Sequence, residues 1–347
     1  MKILLLGYFE DTQSARYVGE AFKELGHEII GIGVREIVTT YGPIEGQKKI
    51  LEEIDKNQFE PDVVLVLKGL SIKLDTLKQI KQRFKRAIFI NWFFDLNIQG
   101  ILAWKNESYF DTLRFFDYYF CSLGGVANKL KEIGFKNVYY LDEACSPKHN
   151  GEAYMNYWQS KNIGSDIAFC GSLGFFQTHP LRIKYLSKIA KGGYDLKVWG
   201  DIICDWRAIP TEIKNVHQKT IVINNQHSRV VQSSLINLGI DADSSLWMGH
   251  SARLYRVMCA GGLYLSTPTK GIDGLFKVNK DGEPLTGNEE LVFFYDEEDL
   301  ITKLDFLLEH DNIRQKIAKN GQKAVLAKHT FVHRIKELLK IIQNGRD

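Results

Sequence analysis

Three basic side chains stand close together in the segment HSARLYRVMCAGG. His250, Arg253 and Arg256 are each three residues apart, so on a helix they occupy adjoining faces and at least two can point toward one anion. Gly261 and Gly262 end this predicted helix, and a short apolar run after them predicts a buried strand. The loop after a parallel strand lies at the sheet edge where ligands bind, and this loop is expected to open a new helix at Gly271. We therefore expect an anion-binding site here.

The elements that must position these residues alternate between apolar strands and amphipathic helices. This alternation predicts an α/β fold with a doubly wound parallel sheet in each half of the chain. The polar segment 147–165 has no clear period and is interpreted as the connection between two Rossmann-like domains with a cleft between them. Strands are predicted at 2–7, 28–32, 63–67, 87–91, 118–121 and 138–141, then at 166–170, 195–199, 234–238, 263–266 and 292–295.

Bulk properties narrow the class of protein. The 347 residues suffice for two domains, and 44% hydrophobic with 25% charged residues is typical of a globular protein. No segment approaches the roughly 18–20 apolar residues of a membrane span, and the amino terminus is interpreted as a buried strand, not a signal peptide. A net charge of +3 and the absence of a basic block argue against nucleic acid. Five scattered cysteines favour reduced thiols and a cytoplasmic location.

A family resemblance rests on motifs that occur in order along the chain. In the second half they are FCGSLGFFQTHPLR, KVWGD, INLGI, SARLYRVMCAGGLYLSTPTKGIDGLF, LVFFYDEEDL and HTFVHR. The first half matches more loosely, through ELGHEI, INWFFDLN, FDYYFCSLGG and GFKNVYYLDEACSP. These motifs resemble the GT-B fold glycosyltransferases, especially the group-1-like branch that includes spore-maturation glycosyltransferase-like proteins.

The resemblance implies a domain plan and a reaction. An amino-terminal domain over 1–160, onto which 330–347 packs back as a crossover helix, would hold the acceptor. The domain over 161–329 would hold a nucleotide-diphosphate-sugar, whose sugar is transferred to an acceptor hydroxyl. Two glutamates found in retaining relatives are replaced here by Met248 and Arg256, whereas the family's arginine is present as Arg253. The replacements keep a second hypothesis open, a non-catalytic member that binds a nucleotide or a glycan.

Donor contacts are predicted at the carboxyl edge of the second sheet. Backbone N–H groups and basic side chains would stabilise the leaving diphosphate, at Gly171, Ser172 and Arg182. An ordinary turn and a solvated helix face are the alternatives for these residues. Further contacts are predicted for a base that stacks near Trp199 and Gly200, for the donor sugar or phosphate at Thr269 and Gly271, and for the diphosphate at Arg253. His250 is predicted to contact the diphosphate or the acceptor, with a structural role as the alternative. Arg256 is predicted to contact the donor, with a surface role as the alternative. Trp199 has core packing as its alternative, and the turn at Pro268 is the alternative for Thr269.

Proton transfer requires a base on the acceptor side. Asp95 follows an apolar strand with flanking aromatic residues, a setting that raises the pKa of a carboxyl group toward the range of a general base. Glu10 and Asp11, in the first strand-to-helix loop, are the next candidates. A helix cap is the alternative for Asp95 and for Asp11.

No metal site is predicted. Asp241 and Asp243 form an Asp-x-Asp triplet that lies late in the chain and is interpreted as part of a loop, and the histidines lack ligand spacing. A nicotinamide oxidoreductase is disfavoured, since the first turn, GYFEDT, lacks the glycine fingerprint.

The sequence therefore predicts a cytoplasmic, metal-independent glycosyltransferase without a cofactor. A UDP-sugar is the favoured donor. The acceptor is a glycan, lipid, protein or small molecule, and the stereochemical outcome stays open.

Overall fold

The computed structural model describes residues 1–9, 14–94, 107–151, 153, 155, 157–173, 180–241 and 246–345, without the side chains of 107–110 and 157–159. The chain divides into two compact units. The first combines Met1–Glu143 with Phe331–Asp347, and the second is Ala144–Thr330. No helix among the described residues is long and apolar enough to cross a lipid bilayer.

The first unit is built on a six-stranded parallel sheet with the strand order β2-β1-β3-β4-β5-β6. Its strands are β1 (Lys2–Gly7), β2 (Glu28–Gly33), β3 (Val63–Leu67), β4 (Ile88–Phe93), β5 (Tyr118–Cys121) and β6 (Val138–Tyr140), and its helices are α1 (Ser14–Glu24), α2 (Val34–Tyr41), α3 (Glu45–Lys56), α4 (Leu74–Arg83), α5 (Glu107–Phe115) and α6 (Gly124–Glu132).

Burial explains why these segments are strands. All five residues of β3 are buried, as expected of a parallel strand covered by helices on both faces. The chain returns to this unit at its end, where Phe331 begins the last helix. The Phe331 ring lies 5.7 Å from that of Tyr17 on α1 and 6.3 Å from that of Trp92 on β4. The last helix is thereby anchored in the core of the first unit.

The second unit holds a five-stranded parallel sheet with the order β11-β10-β9-β7-β8. Its strands are β7 (Ser165–Cys170), β8 (Leu196–Trp199), β9 (Ser234–Gly239), β10 (Tyr264–Ser266) and β11 (Val292–Phe293). Its helices are α7 (Pro147–Asn150), α8 (Tyr157–Ile163), α9 (Pro180–Lys191), α10 (Thr211–Val216), α11 (Asn224–Ser233), α12 (Arg253–Cys259), α13 (Glu297–Glu309) and α14 (Asp311–Lys328); the last helix of the chain is α15 (Phe331–Asn344).

Three local predictions are wrong. The segment 147–165 is more than a polar connection, because α7 and α8 form within it. The loop after β10 opens a three-residue 3-10 turn, Ile272–Gly274, and not a regular helix. Helix α12 also begins only at Arg253, so His250 lies in the loop before it. Glycine at 271 (φ 96°) and at 274 explains why this turn stays short, because glycine is a poor helix former.

Candidate functional site

Arg253 connects two strand ends at the carboxyl edge of the second sheet. Its Nε donates to the carbonyl oxygen of Cys170, at the end of β7, over 2.6 Å. Its Nη1 donates to Ser251 Oγ at 3.2 Å and forms an ion pair with the Asp241 carboxylate, just after β9, at 3.5 Å. The Arg253 side chain is 10% exposed and the Asp241 side chain 4%. A guanidinium held by three partners is thus fixed at the edge predicted to bind an anion.

Arg182 on α9 is buried and stabilises the same edge through hydrogen bonds. Its Nε donates to the Ile240 carbonyl at 2.7 Å, and its Nη1 donates to the Ser172 carbonyl at 2.8 Å. The guanidinium carbons of Arg182 and Arg253 lie 5.6 and 5.1 Å from the ring centroid of Phe169. Because Arg182 is 4% exposed, the alternative of a solvated helix face is wrong. Its observed contacts position the loops after β7 and β9.

Electrostatics link these two arginines. Burial, followed by the neighbouring Arg253 charge, lowers the pKa of Arg182 to about 9, which leaves the guanidinium charged at neutral pH. The Asp241 carboxylate acts in the opposite direction. Two arginines beside a single carboxylate give this edge an excess positive charge that suits a diphosphate.

Two glycines allow the loops and Arg253 to approach one another. A Cβ on Gly171 would overlap Nη2 of Arg253, and a Cβ on Gly200 would overlap the carbonyl oxygen of Gly171. Gly200 also has a φ of 142°, which side chains other than glycine rarely adopt. The Gly171 N–H donates to the Trp199 carbonyl at 2.8 Å, continuing the pairing of β7 with β8. Gly171 and Gly200 therefore permit the close packing of this edge.

A buried histidine lies near Arg253 and Arg256, and its spacing in the sequence did not predict this position. His227 lies in the first turn of α11, and burial followed by the charges of Arg256 and Arg253 lowers its pKa to about 3. His227 is thus neutral at physiological pH. Its Nδ1 and the Nε of Arg256 are buried and make no hydrogen bond with the described residues. The basic cluster predicted around Arg253 therefore includes Arg256 and a neutral imidazole.

The other predicted donor residues line the edge without converging on one point. Trp199 is 8% exposed and packs against Ala168 and Val230, which favours the alternative of core packing over base stacking. Thr269 is buried after β10, and Gly271 lies close to the indole of Trp247. His250 is buried, with Nε2 3.2 Å from the Tyr255 hydroxyl. These contacts place His250 in an aromatic network.

The predicted bases lie outside the described residues. These bases are Asp95, Glu10 and Asp11. Asp243 of the Asp-x-Asp triplet also lies outside the described residues. Asp241 is described and pairs with Arg253, in agreement with its interpretation as part of a loop. Within the described ranges, no three histidine, cysteine or carboxylate side chains are grouped as metal ligands. Metal independence stays a prediction.

The first unit contains a cavity of about 300 Å³. It is lined by Tyr8 after β1, by Arg35 at the start of α2 and by Lys68 after β3, all at the carboxyl edge of that sheet. The Arg35 guanidinium lies 4.2 Å from the centroid of the Tyr8 ring. Lys68 has a φ of 61°, a strained conformation for a residue other than glycine, and such strain concentrates at functional sites. This cavity has the position and the size of a small-ligand site.

Comparison with protein families decides the class of the second unit. Residues 182–340 match the family described as glycosyl transferase-like. Over this segment the chain is similar to glycosyl transferase-like proteins. Comparison with curated protein sequences gives no match. The matched segment includes Arg182, Arg253 and Arg256, so the basic cluster lies within the family region.

Solved structures with the same fold include three that hold a nucleoside diphosphate. An α-glucosyltransferase with UDP and a 13-mer DNA is 12% identical, covers 99% of each chain and has a TM-score of 0.68. The catalytic domain of starch synthase IV from Arabidopsis thaliana, bound to ADP and acarbose, is 8% identical over 96% of this chain and 99% of its own, with a TM-score of 0.64. Anabaena HepE, with UDP and glucose, is 10% identical over 99% of each chain, with a TM-score of 0.62.

The family match and these structures confirm two predictions. The fold is the α/β architecture of two Rossmann-like domains found in GT-B glycosyltransferases, and residues 182–340 match a glycosyl transferase-like family. The spore-maturation branch stays a prediction.

Proposed function

We propose that this glycosyltransferase moves a sugar from a nucleotide-diphosphate-sugar to an acceptor hydroxyl, with the donor at the carboxyl edge of the second sheet. The observation that carries the proposal is the guanidinium of Arg253, fixed between Cys170 and Asp241. In the reaction, the acceptor oxygen forms a bond to the anomeric carbon while the bond from that carbon to the phosphate oxygen breaks. The bonding electrons leave with the diphosphate, whose charge the arginines would stabilise.

Each part of the cluster has a distinct proposed role. Arg253 contacts the diphosphate directly, since its Nη2 lies against Gly171 at the end of β7. Arg182 positions the two loops through their carbonyls. Gly171 and Ser172 bring main-chain groups to the phosphate, and Arg256 contacts the donor beside neutral His227.

The remaining donor contacts are proposed along the same sheet edge. Thr269 and Gly271 bind the donor sugar, Trp199 and Gly200 lie beside the base, and His250 orders the loop before α12. UDP is the favoured nucleotide, and two of the three similar structures hold UDP while one holds ADP. The reaction is proposed to need no metal and no cofactor.

The acceptor proton is proposed to pass to Asp95, with Glu10 or Asp11 as the other candidates. The cavity lined by Tyr8, Arg35 and Lys68 supports an acceptor site on the first unit. The acceptor remains a glycan, lipid, protein or small molecule at this level. Free thiols at all five cysteines support a reducing, cytoplasmic location.

A thermal-shift panel with UDP, GDP, TDP, ADP and CMP, each with and without its sugar, tests the proposal. Stabilisation by a nucleoside diphosphate, together with slow release of that diphosphate from the intact donor, is expected. Stabilisation without donor hydrolysis or transfer would instead assign the non-catalytic function, which the arginine at position 256 favours. A protein that binds none of these nucleotides contradicts both functions.

A further inference from the structure

A large basic groove runs along the second unit from the proposed donor edge, and Thr269 and Gly271 belong to its lining. Its volume is about 1380 Å³, above the 300–1,000 Å³ that is usual for a small-molecule pocket. One wall is the segment 268–280 after β10, and the other is helix α14. Six lysines line it, with Asp273 and Glu290 as the carboxylates of the lining: Lys270, Lys277, Lys280, Lys316, Lys323 and Lys328.

The groove carries a net positive charge. Six lysines and two carboxylates line it, and their difference is larger than the net charge of +3 of the whole sequence. Lys316 and Lys323 are seven residues apart on α14, so they project from one face two turns apart. Of the described ion pairs, none involves these two side chains or Lys270, Lys277 and Lys280. The Glu290 carboxylate accepts instead from the Lys277 main-chain N–H at 2.9 Å.

The groove is preformed by a network of main-chain contacts. The Asn279 side chain pairs with both the N–H and the carbonyl of Phe293, at 2.7 and 3.0 Å, so the 268–280 wall is held against edge strand β11. On the other wall, Asn320 of α14 donates to the carbonyls of Gly287 and Glu289. A Cβ on Gly321 would overlap the Glu290 carbonyl, so the helix approaches this turn closely. A rigid groove loses little entropy when a chain binds in it.

The lining indicates which kind of polyanion fits. Single-stranded nucleic acid is bound by exposed aromatic rings on which bases stack. In this groove Phe276 and Phe293 are buried, and half-buried Tyr295 is held in place because its hydroxyl donates to the Asn279 carbonyl. Lysine ammonium groups act as separate point charges, which suit carboxylates repeated along a flexible chain. We propose that the groove binds an acidic polysaccharide and, resting on the proposed function, that this polymer carries the acceptor hydroxyl.

Binding of sodium polygalacturonate tests the inference, with dextran of matched length as the neutral probe. The wild type should bind polygalacturonate, and the slope of log K against log salt should be negative, as expected when cations are released. The double variant Lys316→Gln/Lys323→Gln should lose at least tenfold in affinity and show a shallower salt slope. The matched control, Lys161→Gln/Lys188→Gln, removes the same charge from exposed positions of the same unit outside the groove and should change affinity less than twofold.

Three results would overturn the inference: equal loss in the two double variants, equal binding of dextran, or tighter binding of mixed-sequence single-stranded DNA, which would assign the groove to nucleic acid. Nucleotide binding, measured on the same preparations, is expected to be unchanged in both double variants. A protein that binds nucleotide but not polygalacturonate contradicts the groove alone. A protein that binds polygalacturonate but no nucleotide contradicts the proposed transferase function alone.

Discussion

Arg253 on α12 donates a 2.6 Å hydrogen bond from Nε to the carbonyl of Cys170, 83 residues earlier at the end of β7. This bond orients the guanidinium along the sheet edge, where its Nη1 forms an ion pair with Asp241. The arginine therefore belongs both to the structure of the edge and to the proposed diphosphate site. A substitution at this position has to separate the two roles.

Arg253→Ala is expected to lower the affinity for the best-stabilising nucleoside diphosphate at least tenfold. It should also destabilise the second unit by about 1–3 kcal/mol, because Asp241 and the Cys170 carbonyl lose their partner. Arg253→Lys keeps the charge without the bidentate geometry and should recover part of the affinity. Calorimetric titration with chemical denaturation measures both effects. Wild-type nucleotide affinity in Arg253→Ala would contradict the assignment.

Gly171→Ala tests the close approach of the turn to Arg253. The added Cβ would overlap Nη2, so the guanidinium must shift and nucleotide affinity should fall about tenfold with the fold retained. Gly274→Ala is the matched control, because its Cβ would meet nothing within 4 Å. Circular dichroism checks the fold and calorimetric titration the affinity. Equal affinity in the two alanine variants would show that the close approach has no role in binding.

The strands and one site residue were predictable from local sequence. Short apolar runs such as β3 signal buried strands wherever they lie, and Arg253 stands out by its place before the glycine pair. Helices α2 and α3 were not predicted. Their apolar residues do recur at helical spacing, but α2 has only eight residues and only a short glycine-containing turn separates it from α3.

The partners of the site residues required the strand order. Arg182 contacts the Ile240 carbonyl 58 residues away, and this contact exists only because β9 lies next to β7 in the sheet. His227 reaches Arg253 and Arg256 because α11 and α12 are packed side by side, a relationship that no spacing in the sequence encodes. Local patterns therefore predict which residues carry charge, and the tertiary fold decides what each one contacts.

Arg182→Met is expected to destabilise the second unit by about 2–4 kcal/mol, because it leaves two buried carbonyls without donors. Nucleotide affinity should fall with it, since the loops after β7 and β9 lose their brace. Lys184→Met on the same helix is the control: its ion pair with Glu297 is exposed, so its loss should leave the urea midpoint nearly unchanged. Urea unfolding measures both, and equal stabilities would contradict the bracing role.

His227 should make stability depend on pH in a defined direction. Its pKa in the folded protein is about 3, below its ordinary 6.5, so the unfolded chain binds the extra proton between these values. The free energy of unfolding therefore has its full value above pH 6.5 as far as this group is concerned. On acidification below pH 6.5 it falls by at most about 1.4 kcal/mol per pH unit. His227→Gln removes this titration without adding a charge. The difference in Tm between wild type and His227→Gln should be constant from pH 7 to 8, then shift against the wild type from pH 6.5 to 4.5. Parallel melting curves across the whole range would show that His227 is not held neutral beside Arg253 and Arg256.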